Sequence, residues 1–253
     1  MKKIIAMMMV AVMLLAMVAC ATVEEKKTTE PAETKTTAPA ETKTAEQVKV
    51  MTYDEFVAAA VEEKVCVETY IQAKQGWWEK DGVGVATFYT QNQDGAYFVY
   101  EMPCSEDDYN TKLVAGAKIR VTGFKAEWSG EIEIIDATYE VLEGTWTAEA
   151  KDLTDKLGTD NLIKYQNQLA IFKGMTVEKI AFKNEQPGND IYVTVKLGDA
   201  SYDFCVESYL TGADTDVYAA VSALKAGDKV DIEGFVYWYE GVNTHITEVT
   251  PAA

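Results

Sequence analysis

The chain has 253 residues, 48% of them hydrophobic, and a formal net charge of −18 at pH 7. That length accommodates two domains of about 100 residues, each large enough for its own core. Forty-one acids against 23 bases disfavour nucleic acid as a partner, because binding it depends on neutralising phosphates with a basic surface. An acidic surface also simply keeps a secreted protein soluble.

The chain opens with Lys2 and Lys3, followed by an uncharged Met/Val/Leu/Ala run to Ala19. The run is short and is followed at once by polar sequence, so residues 1–19 read as a secretory signal rather than a lasting membrane span. Met17-Val18-Ala19-Cys20 resembles the lipobox of bacterial lipoproteins, although Leu is commoner where Met17 stands. The resemblance implies cleavage before Cys20, lipid on that residue, and a place on the extracytoplasmic face of the bacterial cell membrane. Several acyl chains would anchor it durably, where one would not. From Cys20 to Val50 the sequence is Thr, Glu, Lys, Ala and Pro without an aromatic residue, and PAETKT occurs at Pro31–Thr36 and again at Pro39–Thr44. Such a segment cannot bury enough apolar surface to order itself, so residues 20–50 are expected as a disordered tether.

Two domains are predicted beyond it, at residues 51–146 and 167–253, with a helical linker at 147–166 broken at Gly158. Thr52 with Glu55 three residues on is a capping-box pattern and opens a helix over Thr52–Glu63. Val65–Ala73 is a strand. A loop with Trp77-Trp78 follows. Val85–Thr90 and Ala96–Met102 form a hairpin turned at Asp94-Gly95. Ser105–Lys112 is a short helix or a turn. Then comes a motif that occurs twice. At an offset of 111 residues, Leu113, Ala115, Gly116, Lys118, Gly123, Phe124 and Gly130 match Leu224, Ala226, Gly227, Lys229, Gly234, Phe235 and Gly241, and Trp128 matches Tyr239 conservatively. Ile119, Val121 and Gly123 alternate with Lys118, Arg120 and Thr122, which is a strand with one face buried. A Gly inside it predicts a bulge or sharp bend. Glu131–Leu142 is the last strand of the first copy. The second copy supplies strands at Leu169–Ile180, Ile191–Leu197, Ser201–Glu207, Lys229–Tyr237 and Asn243–Val249, with a helix over Asp214–Leu224.

The order of strand, hairpin, helix and two strands, with a Gly-punctuated fourth strand, resembles the oligonucleotide/oligosaccharide-binding (OB) fold, a five-stranded Greek-key barrel. The chain as a whole is similar to uncharacterised bacterial lipoproteins with tandem OB domains. The resemblance implies a mainly β protein of two small barrels with short helices, and extracytoplasmic binding with no established activity. In OB folds ligands lie across strands two and three, gripped by the loops joining strands one to two and four to five. Those loops carry Trp77, Trp78 and Trp128 in the first copy and Tyr237, Trp238 and Tyr239 in the second. The strands add Tyr89, Tyr97, Tyr100, Tyr192 and Tyr202. Aromatic faces there stack on sugars or bases. The competing role for every strand tyrosine is packing inside a barrel. For Trp77-Trp78 it is docking of the other barrel or a partner.

Catalytic groups are sparse. His245 is the only histidine, expected as a hydrogen-bonded structural residue, and it leaves no multi-histidine zinc site. Cys66, Cys104 and Cys205 form no C-x-x-C pair and are expected as buried free thiols, with a Cys66–Cys104 bridge the alternative. Asp214-Thr215-Asp216 reads as a helix start rather than a cation site. The sequence therefore predicts a non-enzymatic envelope lipoprotein without cofactor or metal. Its loop aromatics are expected to hold a carbohydrate or other small ligand, with a protein partner as the alternative and single-stranded nucleic acid binding or a hydrolase ranked below both.

Overall fold

The computed structural model describes residues 49–252. The predicted signal peptide, Cys20 and nearly all of the tether lie outside these residues. Among the described residues no helix is long and apolar enough to cross a membrane.

The first helix, α1 (Tyr53–Ala58), starts as its sequence dictates. Thr52 Oγ1 accepts from the Glu55 amide at 3.2 Å, and Glu55 Oε2 accepts from the Thr52 amide at 2.9 Å. It ends five residues before the predicted Glu63, and the reason is a side chain from elsewhere. Lys125 Nζ donates to the carbonyls of Phe56, Val57 and Ala59 at 3.0, 2.9 and 2.8 Å. A cation at a helix C-terminus satisfies carbonyls that have no intrahelical donor.

Strands β1 (Lys64–Lys74), β2 (Trp78–Lys80), β3 (Val83–Gln91) and β4 (Ala96–Pro103) follow. The β3–β4 turn is held by Asn92 Oδ1, which accepts from the amides of Asp94 and Gly95 at 2.9 and 3.0 Å. Helix α2 (Glu106–Thr111) is capped by Ser105. Strands β5 (Ala117–Trp128) and β6 (Glu131–Thr145) complete the first unit. The pairing runs β1-β5-β6-β4-β3, and β3 pairs back to β1 to close the ring; β4 and β6 are parallel and the other pairs antiparallel. β2 is a short flap on β3.

Residues 147–166 form the two-residue strand β7 (Lys151–Asp152) and two 3-10 turns, Thr154–Lys156 and Leu162–Tyr165, on either side of Gly158. Leu153, Leu157 and Leu162 are buried in the second core, so this segment packs as part of the second barrel. Strands β8 (Leu169–Phe182), β9 (Ile191–Leu197) and β10 (Ala200–Val206), helix α3 (Asp216–Ala223), and strands β11 (Lys229–Phe235) and β12 (His245–Pro251) follow. Their order is β11-β12-β10-β9-β8, closed by β11–β8, with β10 and β12 parallel. The second ring therefore repeats the first. This is the strand order of the OB fold, and the chain is mainly β, with two such barrels in tandem.

The repeated glycines have a steric cause. A Cβ on Gly123 would lie 2.6 Å from the Ile135 carbonyl oxygen, and one on Gly234 would lie 2.3 Å from that of His245. The β5–β6 register shifts between Thr122 and Phe124, and the β11–β12 register between Glu233 and Gly234. Both glycines sit where the strand bends against its neighbour. Ile119 and Val121 enter the first core. On the other face Lys118 and Arg120 pair with Glu68, each at 2.7 Å. Cys66, Cys104 and Cys205 are free and buried, so the bridged alternative does not form.

The barrels meet through an aromatic cluster of Tyr89 and Phe98 from the first and Phe235 and Tyr237 from the second. Tyr89 stacks on Phe235 at 4.6 Å between centroids, and Phe98 meets Tyr237 edge to face at 5.4 Å. Glu131, 0% exposed, joins the two barrels through both oxygens. Oε1 accepts from Asn167 Nδ2 at 2.5 Å and Oε2 from the Trp238 amide at 2.9 Å. Gln91 Oε1 accepts from the Leu169 amide at 2.9 Å, and Gln166 Nε2 donates to the Gly130 carbonyl at 2.8 Å.

Candidate functional site

Docking the barrels leaves a cleft of about 870 Å³ beside the aromatic contact. Strand alternation in the second barrel decides what faces it. On β10, Phe204 and Val206 point into the core, which turns Asp203, Cys205 and Glu207 (just past the strand) outward to the cleft. On β9, Ile191, Val193 and Val195 point inward, so Tyr192 and Thr194 face the cleft. On β12, Ile246 is core and His245 lies on the cleft floor. This is the strand-two and strand-three face that OB folds offer to ligands. The loop before β9 adds Lys183 and Asp190, and the loop before β12 adds Tyr239 and Asn243. The first barrel roofs the cleft with Tyr100, Trp128 and Glu133.

Four aromatic residues at its walls keep open faces: Trp128 is 53% exposed, Tyr239 48%, Tyr100 40% and Tyr192 39%. Trp128 and Tyr239 occupy equivalent positions in the two repeats. The pseudo-equivalent loops meet at the cleft mouth, with ring centroids 5.2 Å apart and the Glu240 amide donating to the Ser129 carbonyl at 2.7 Å.

The floor is polar, and its carboxyls differ in charge. Burial pushes the Glu133 carboxyl up to about 7, with Glu101 nearby adding to it. Burial likewise pushes Glu207 up to about 7. Beneath them, burial raises Glu131 to about 8 even though its two donors favour the carboxylate. Burial also pushes Asp190 up, but Lys183 at 2.7 Å and the two donors of Ser208 outweigh it and hold that carboxyl below its ordinary range.

His245 is neutral, because burial lowers it to about 3. Its ring stacks on Tyr237 at 4.1 Å, and Nδ1 lies 2.5 Å from the Tyr89 hydroxyl. Gln75 Nε2 donates to that hydroxyl at 3.4 Å, so the phenol donates onward to Nδ1. The imidazole proton is then left on Nε2. Burial pushes the Cys205 thiol far up, which removes its nucleophilic form. Among the described residues no three His, Cys, Asp or Glu side chains converge as metal ligands.

The sequence-predicted site residues divide. Trp128, Tyr237 and Tyr239 line the cleft. Tyr89 is fully buried between the barrels, and Tyr97 is buried in the first core against Tyr53 and Phe56. Trp77 packs on that core and donates from Nε1 to the Cys104 carbonyl at 3.0 Å. Trp78 is exposed on β2, away from the cleft lining, and Trp238 packs on the second core. Glu133, Glu207 and Asp190 were not singled out in sequence. The signal for Glu207 is the alternation Asp203-Phe204-Cys205-Val206-Glu207, in which the polar positions must share a face once the apolar ones are buried.

No protein-family model matches the sequence, and no curated protein matches it. Solved structures with a similar arrangement include a murine DNA-binding protein bound to double-stranded DNA, 12% identical, covering 74% of this chain and 96% of its own, with a TM-score of 0.36. Another is the Ifi202 HINa domain in complex with 20-bp double-stranded DNA, 12% identical, covering 77% of this chain and 99% of its own, with a TM-score of 0.34. A third is a replication protein A heterotrimer bound to single-stranded DNA, 8% identical, covering 76% of this chain and 51% of its own, with a TM-score of 0.32. These neighbours were solved with DNA bound, which stands against the expectation of a carbohydrate, small-molecule or protein ligand with nucleic acid disfavoured. The physical weakness of that expectation was its use of net charge. The −18 is spread over the whole chain, whereas burial moves the Glu133 and Glu207 carboxyls in the cleft toward their neutral form near pH 7.

Proposed function

We propose that the cleft binds single-stranded nucleic acid through its bases, without catalysis. The observation that carries this is the set of four open aromatic faces, Tyr100, Trp128, Tyr192 and Tyr239, gathered from both barrels onto one cleft. Every base has a π-face, and each base–aromatic stack contributes about 1–3 kcal/mol. Lys179 on the same lining offers a partner for one phosphate, while Lys183 is held by Asp190, so affinity rests on stacking more than on charge.

The test is titration of the full chain with single-stranded oligonucleotides of eight nucleotides, followed by tryptophan fluorescence. Trp128→Ala with Tyr239→Ala is expected to weaken binding by about tenfold or more, the loss of roughly one stack. A single phosphate contact predicts a shallow salt dependence, with a slope of about −0.7 in log K against log salt. Affinity is expected to rise as pH falls through about 7, because Glu133 and Glu207 then take up protons and repel phosphate less. A chain that ignores every oligonucleotide at low salt would overturn this reading.

The same proposal places the protein outside the cytoplasmic membrane of a bacterium, held by lipid on Cys20 with residues 21–50 as the tether. It is supported by Met17-Val18-Ala19-Cys20 after a charged and then apolar start, and by the absence of aromatic residues through Val50. As a coil that tether would span about 30 Å. Cys20→Ser is expected to abolish incorporation of labelled palmitate and to move the protein from the membrane to the soluble fraction.

A further inference from the structure

The imidazole of His245 has two nitrogens, and the fold accounts for one. Nδ1 accepts from the Tyr89 hydroxyl at 2.5 Å, so the ring proton sits on Nε2. Nε2 has no hydrogen-bond partner among the described residues, and it is not one of the buried side-chain atoms left unpaired. It therefore keeps accessible surface, and the space that His245 lines is the cleft. The ring itself is held on several sides. It stacks on Tyr237 at 4.1 Å, meets Tyr89 edge to face at 6.0 Å, and belongs to a residue paired with Cys205 of β10. A side chain held this way presents its free N–H in one direction, and a polar group fixed in advance loses little freedom when it binds.

We infer that His245 Nε2–H donates to an acceptor on the edge of the stacked base, and that Tyr89, from the other barrel, is the residue that positions it. The inference rests on the nucleic-acid reading above. Tyr89 acts through the tautomer. Without its hydroxyl, a neutral imidazole carries its proton on either nitrogen, and one of those forms turns a lone pair toward the ligand. The acceptor is a base atom rather than a phosphate oxygen, because the carboxyls of Glu133, Asp203 and Glu207 line the same cleft and oppose a phosphate on its floor. A ring nitrogen or carbonyl oxygen able to accept is present on every base. The contact thus adds affinity without choosing among bases, as stacking does. His245 belongs to the second barrel and Tyr89 to the first, so the donor is set only when the two are docked.

His245 is the only histidine, so the full chain grown with isotope-labelled histidine gives one imidazole to follow by nitrogen NMR. Nε2 is expected to be protonated and Nδ1 bare before any ligand is added. Oligomers of eight dA, eight dC and eight dT are each expected to shift the Nε2 resonance, while an abasic strand of the same length leaves it in place. Tyr89→Phe is expected to populate both tautomers and to weaken binding in proportion to the Nε2–H form lost, since only that form is competent. His245→Phe keeps a ring on Tyr237 and is expected to weaken all three oligomers by about 2- to 12-fold, the effect of one hydrogen bond. His245→Gln, whose amide carries a donor, is expected to recover part of that loss. A proton on Nδ1 in the unaltered chain would overturn the inference. So would an Nε2 resonance that stays in place while an oligomer binds, or that moves equally with the abasic strand. These outcomes leave nucleic-acid binding intact and need no variant to fold. Failure of all three oligomers to bind would instead remove the nucleic-acid reading and the inference with it.

Discussion

Glu131 is the residue on which both barrels close, and its proton has a consequence for stability. Burial raises its carboxyl from the ordinary 4.5 to about 8 in the folded chain. The folded protein therefore keeps a proton that the unfolded chain has already released. Where the native state binds more protons, stability falls as pH rises. Its contribution is favourable below about 4.5, is lost progressively between about 4.5 and 8, and is constant above. The slope is on the order of 1 kcal/mol per pH unit within that window. Glu131→Gln has no such proton to lose. Urea midpoints at pH 5, 6, 7 and 8 are expected to fall less steeply in the variant, with the slope left below about 7 coming from Glu133 and Glu207. A variant slope equal to that of the unaltered chain would dismiss Glu131 as the source. Little of this was legible in the sequence. One glutamate among 41 acids carries no mark, and Glu131 acquires its character only from Asn167 and the Trp238 backbone, 36 and 107 residues away. His245 was easier. A lone histidine between Thr244 and Ile246 in an alternating strand is expected to be hydrogen-bonded and structural, and Tyr89 supplies the bond.

At the scale of elements the repeat spoke clearly. Gly123 and Gly234 recur at the same offset because the same bend recurs, and their Cβ positions are blocked by backbone oxygens that cannot rotate away. Gly234→Ala is expected to destabilise the fold by about 2 kcal/mol or more, in the range of overpacked sites. Gly76→Ala, with nothing within 4 Å of the added carbon, is expected to stay within about 0.5 kcal/mol. Denaturant titration of the two variants side by side checks both. Helix α1 shows the opposite case. Its start is written in Thr52 and Glu55, but its end is set by Lys125 of β5, more than 60 residues on. Lys125→Met keeps the length of the side chain and removes its three hydrogen bonds. It is expected to cost about 2 kcal/mol, since charge-assisted bonds contribute more than neutral ones. Trp77-Trp78 misled for a local reason. Trp77 ends the loop and packs on the first core while Trp78 begins β2 and stays exposed, and neither reaches the cleft.

The whole molecule is where the sequence fell silent, because a cleft between two barrels depends on how they dock. The face that would carry a ligand on the first barrel, Tyr89 and Phe98, is spent on holding the second. Barrels joined by such a cluster are expected to unfold together. Circular dichroism and tryptophan fluorescence should report one coincident transition, and Phe235→Ala with Tyr237→Ala should split it into two. Closure of each ring has a consequence of another kind. A sheet that ends in an open strand offers a ladder for a neighbouring chain to extend, which is how aggregates grow. Here the rings close through β1–β3 and β8–β11. The strands added outside those rings are β2, three residues ending in Lys80, and β7, two residues beginning with Lys151. A template that short, ending in a charge, gives an approaching strand almost nothing to pair with, so many copies crowded side by side should remain separate molecules.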